Sequence, residues 1–89
     1  MEFKVLEEGK NRLMFELHGE THTFCNALKV ELQNVKGVTI ATYRIDHPLV
    51  GVPTFLLETK GTDPKKAITE ALVSMKKRVK EFEKEVAGI

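Results

Sequence analysis

Between residues 12 and 18 apolar and polar positions alternate, with Leu13, Phe15 and Leu17 on one side and Arg12, Glu16 and His18 on the other. This is the period of two that an antiparallel strand with one buried face requires. Met14 interrupts the polar side. Upstream, Phe3 and Val5, extended by Leu6, stand against Glu2, Lys4 and Glu7, and the turn-forming run Glu8, Gly9, Lys10, Asn11 joins the two segments. A hairpin is predicted. After Gly19 the period changes. Phe24, Leu28, Leu32 and Val35 recur at steps of four, four and three, which at about 100° per residue makes one stripe on a helix, with Cys25 at its margin. Thr21 and Thr23 both offer a capping hydroxyl, and Thr23 is the favoured cap. Ala27 and Val30 fall outside the stripe and suggest a second, smaller apolar surface. Lys36 and Gly37 end the helix.

Residues 38–45 are rich in β-branched and aromatic side chains and read as a third strand, with Ala41, Tyr43 and Ile45 on one face. Residues 47–53 hold Pro48, Gly51 and Pro53, so a stiff loop precedes a fourth strand around Phe55, Leu56 and Leu57, which closes at Thr59, Lys60 and Gly61. Thr62 or Asp63 then caps a last helix, with Pro64 in its first turn, where a missing amide costs nothing.

In that helix Ile68, Leu72, Met75, Val79, Phe82 and Val86 recur at four, three, four, three, four. Such a strict heptad seam suits packing against another helix. At ~1.5 Å per residue the helix is about 36 Å long, more than a sheet of four short strands is wide. Ile68, Leu72 and Met75 are expected to cover the chain's own sheet, while Val79, Phe82 and Val86 reach past its edge to an external partner helix. The order ββαββα predicts one α+β domain over residues 1–89, a four-stranded antiparallel sheet with two helices on one face.

Composition narrows the function. A chain of 89 residues hides only about 60–65% of its unfolded surface, so a partner would help to stabilise it. Charged residues make up 30% of the chain but balance to a net +1, which is not the basic footprint of an autonomous nucleic-acid binder. The single cysteine precludes an internal disulfide and fits a reducing compartment. The chain has no apolar run of membrane-spanning length and no signal-peptide zones at its start, so a cytoplasmic protein is expected.

Residue types that carry chemistry are present without the company they need. His18, His22 and Cys25 have ligand-like spacing, but they straddle a strand end and a helix start and lack a fourth ligand. Ser74 is the only serine and has no nearby histidine, and every glycine stands singly, so neither a triad nor a phosphate loop can be built. Lys76, Lys77, Arg78, Lys80 and Lys84 interleave with Glu81, Glu83 and Glu85 and read as a solvated helix face. No catalytic residue, metal site or cofactor is predicted.

Two motifs carry a resemblance. Residues 19–28, GETHTFCNAL, resemble the signature G-E-D-H-T-L-G-N-x-L of the α-like assembly subunits of RNA polymerase, in particular the archaeal ones. The shared positions include Gly19, Glu20, His22, Thr23, Asn26 and Leu28. The departures are Thr21 for Asp, Phe24 for Leu and Cys25 for a small residue. Downstream, Ala41, Tyr43, Arg44, His47, Pro48, Leu49, Gly51 and Pro53 resemble the family's A-x-Y-R-x-x-H-P-L-x-G-x-P pattern.

The resemblance implies the same ββαββα fold and a non-catalytic subunit that forms a heterodimer with the D subunit of the polymerase. That dimer would be equivalent to the two α-subunit amino-terminal domains of bacteria and would be the platform for the large catalytic subunits, without direct nucleic-acid contact. The loop containing His47 and Pro48 reads on its residues alone as a rigid turn, and the resemblance implies a structural element that could also face a large subunit. On this reading the partner interface comprises Phe24, Ala27, Leu28 and Val30 of the first helix and Met75, Val79, Phe82 and Val86 of the second.

Overall fold

The alternation at residues 12–18 becomes strand β2 (Arg12–His18), and Leu13, Phe15 and Leu17 are all buried. A computed structural model describes residues 2–45 and 51–89 of the chain, so His47 and Pro48 lie outside the described residues. Strand β1 (Glu2–Glu8) pairs antiparallel with β2, and Gly9 donates to the Arg12 carbonyl at 2.7 Å to close the hairpin. The register slips between Val5 and Glu7, so Leu6 occupies a bulge and the alternation of β1 breaks there. Strands β3 (Val38–Arg44) and β4 (Thr54–Thr59) complete an antiparallel sheet of order β1-β2-β4-β3. β4 is therefore central, which accounts for the burial of Phe55, Leu57 and Thr59 on one side. On the opposite face Met14 pairs with Leu56, so the apolar interruption in β2 has a cross-strand partner.

Helices α1 (His22–Gln33) and α2 (Pro64–Ala87) cover one face of the sheet in two layers. The cap of α1 is Thr21, not Thr23: the Phe24 amide donates to the Thr21 hydroxyl at 3.1 Å, and Thr23 lies exposed inside the first turn. Both hydroxyls fit the composition of a cap, but only Thr21 has the extended backbone the position demands. The helix ends at Gln33 with Asn34 as its cap, three residues before Gly37. Gly37 instead serves a close approach. At φ +95° an added Cβ would meet the Thr62 methyl at 2.8 Å, and its carbonyl accepts from the Lys60 amide at 2.7 Å.

Cys25 is fully buried beside Leu28 and Leu32 and so stands at the centre of the helix stripe rather than its margin. On α2 the Asp63 carboxylate accepts from the Lys65 amide at 2.9 Å with Pro64 behind it, the expected start. The residues that α2 buries are Pro64, Ala67 and Ala71. Ile68, Leu72 and Met75 are only partly covered at the margin of the core. Small side chains let α2 lie close against α1 and against β2 and β4, so the heptad seam lies to one side of the contact.

Candidate protein–protein interface

From Lys76 onward every residue of α2 is exposed, including Val79, Phe82 and Val86 at 56%, 66% and 51%. Isolated exposed apolar residues are ordinary, but these three continue a single seam, and one helix face holding them leaves an uncovered apolar strip. Met75 stands at the junction, partly buried against the core. On α1, Ala27 and Val30 are exposed, as their place off the main stripe implies, and Phe24 is partly buried. Leu28 differs from expectation. It is fully buried in the chain's own core and offers no surface to a partner in this structure.

The two helices are tied where α2 leaves the domain. Glu31, on the inner side of α1, pairs with Arg78, and its side chain is only 7% exposed. The sequence contains a signal for this that the apolar pattern alone passes over: Glu31 lies three residues after Leu28 and one before Leu32, inside the buried arc.

The motif residues form a second cluster at the start of α1. Gly19, at φ +81°, turns the chain out of β2. The Nδ1 of His22 lies 2.6 Å from the Tyr43 hydroxyl, with the two rings edge to face. Lys29 sits 5.7 Å above the Tyr43 ring. With Asn26 and Arg44 these side chains line a shallow cleft between α1 and β3. Glu20 lies beside Cys25, whose thiol is pushed up first by burial and then by the Glu20 carboxylate.

The structure does not bring His18, His22 and Cys25 together. His18 bonds Glu16 at 3.2 Å, His22 bonds Tyr43, and Cys25 is inside the core. Among the described residues no group of three or more His, Cys, Asp or Glu side chains could hold a metal ion. No helix among them is long and apolar enough to cross a membrane.

Comparison with known proteins identifies what this geometry belongs to. Residues 12–85 match the family described as the RNA polymerase Rpb3/Rpb11 dimerisation domain. The chain is 37% identical over 90 residues to the DNA-directed RNA polymerase subunit Rpo11 of Sulfurisphaera tokodaii, covering 100% of this chain and 97% of that protein. It is 38% identical over 85 residues to the Rpo11 of Methanothrix thermoacetophila, with 96% and 93% covered. A crystal structure of DNA-directed RNA polymerase subunit L from Thermoplasma acidophilum superposes with a TM-score of 0.88 at 23% identity, covering 98% of this chain and 86% of that one. At that identity the likeness bears on the fold.

Proposed function

Since the chain belongs to the RNA polymerase Rpb3/Rpb11 dimerisation-domain family, we propose that it is a non-catalytic assembly subunit which pairs with the polymerase's D subunit and so forms the platform for the large polymerase subunits in the cytoplasm. The observation that supports this most directly is the exposed seam Val79, Phe82, Val86, carried on a helix that outruns its own core. Covering it removes apolar surface from water at roughly 25 cal/mol per Å² before the costs of association. A helix of a related domain is the shape that a heptad seam fits. Phe24, Ala27 and Val30 of α1 extend the contact. By the same resemblance a large subunit would meet the segment that contains His47 and Pro48, which lies outside the described residues.

The test is co-expression with the D subunit of an archaeal polymerase. A one-to-one complex is expected to persist in ~1 M salt, because apolar burial is not screened as surface charge is. Phe82→Asp is expected to abolish it while leaving the isolated chain folded by circular dichroism, since an unpaired carboxylate is costly in a dry contact. Separate monomers of the parent chains in high salt would overturn the reading.

A further inference from the structure

The flanks of the α2 seam are not neutral bystanders. On the positions next to the seam, Lys76 and Arg78 stand beside its near half and Glu83 and Glu85 beside its far half, so positive charge gives way to negative along the flanks, while Lys77, Lys80, Glu81 and Lys84 lie farther round the helix. An isolated helix would favour the reverse, because the carbonyl ends near Gly88 make its C-terminus negative and acids there are unfavourable. The segregation therefore serves something other than the helix itself.

It suits an antiparallel copy of the same helix. We propose that, wherever no other subunit covers it, α2 pairs antiparallel with α2 of a second copy of this chain to give a two-fold symmetric homodimer. Heptad geometry determines the register. Aligning Val79 with the partner's Phe82 also aligns Met75 with the partner's Val86, so the exposed seam residues form successive closed layers. In the same register Lys76 lies opposite the partner's Glu83 on one flank, and Arg78 opposite the partner's Glu85 on the other. Two-fold symmetry repeats each pair, so every one of these flanking charges meets its opposite. A parallel arrangement in register would instead set Lys76 against the partner's Ala71, and Ala71 is buried in its own domain's core. Arg78 is already engaged by Glu31, which makes Lys76 and Glu83 the cleaner reporters. They are seven residues apart on one helix, beyond the three- and four-residue spacings at which neighbouring charges interact.

This inference goes beyond the heterodimer and does not depend on it, although both use the same seam and must compete for it. The experiment is sedimentation equilibrium of the full chain, alone, at low salt. A reversible monomer–dimer equilibrium is expected. Lys76→Glu and Glu83→Lys should each weaken it roughly tenfold, because each turns two attractive contacts into repulsive ones, and the double variant should return to within about twofold of the parent. Circular dichroism of each variant confirms that exposed charges were exchanged on an intact fold. A chain that stays monomeric at every loading, single reversals without effect, or a double variant weakened by the sum of the singles would overturn the homodimer. Capture by the archaeal D subunit, measured on the same proteins, separates the two readings: capture without self-association sinks only this one, and self-association without capture sinks only the heterodimer.

Discussion

Glu31 of α1 and Arg78 of α2 form an ion pair across the helices in which the carboxylate side chain is 7% exposed and the guanidinium side chain 65%. The asymmetry makes the acid the dependent partner: Arg78 can turn to water, but Glu31 cannot leave the helix interface without moving α1. The pair also sits at the point where α2 passes from covered to exposed, so it is a side-chain contact between the two helices just where the outer half runs out into solvent.

Replacing Arg78 by Ala should accordingly lower stability by about 1–2 kcal/mol, less than for a fully buried pair because the arginine end is solvated. Urea denaturation followed by circular dichroism measures it. Arg78→Lys should recover part of the loss, since a point charge replaces the fork of donors. A change of less than a few tenths for Arg78→Ala would mean that Glu31 finds water instead.

Why the fold was so largely legible, and these contacts were not, has a physical reason. Period-two alternation around Phe15 and the Asp63-Pro64 start each follow from one residue's neighbours in the chain, and both stand where they were expected. The burial of Ala67 and Ala71 does not follow in that way. Their side chains are too small to mark a hydrophobic face, yet smallness is what lets α2 lie close against α1 and the strands beneath it. Leu28 satisfies both the core stripe and the family motif, and only the tertiary structure decides for the core. Thr21 and Thr23 are equal in composition and differ in backbone. The exposure of the outer half of α2 follows from its length, since an apolar seam of 24 helical residues runs on past what the sheet covers.

Cys25 should behave as a thiol that barely reacts. Burial and then Glu20 hold its ionisation above the ordinary thiol value, so the folded chain retains a proton that the unfolded chain releases first as pH rises. The sign follows: this contribution to stability is full below about pH 8.5, the ordinary thiol range, and is lost progressively as pH climbs through the folded value. Native protein at neutral pH should be labelled by a thiol reagent far more slowly than protein in denaturant. Cys25→Ala should be less stable at neutral pH yet show a shallower decline above about pH 9 than the parent, with equal slopes counting against the assignment.

Assembled polymerase should be indifferent to the groups on this chain that resemble catalytic or ligand residues. His18 is taken up by Glu16, His22 by Tyr43 and Cys25 by the core, so none has the geometry of a base, nucleophile or ligand poised toward a substrate. His22→Ala removes the bond to Tyr43 at the start of α1 and should act on the fit of that end of the helix. Enzyme reconstituted with His18→Ala, His22→Ala, Cys25→Ala or His47→Ala, normalised to assembled complex, should elongate RNA at the parent rate. The losses should appear in assembly yield, with His47→Ala showing the largest because it alters the residue before Pro48, in a segment whose prolines alone predict a constrained backbone. The two measurements separate the roles, because a scaffold residue changes how much enzyme forms and a catalytic one changes how fast each enzyme works. Full assembly with elongation at a tenth of the parent rate would place this subunit in the active centre and end the scaffold reading.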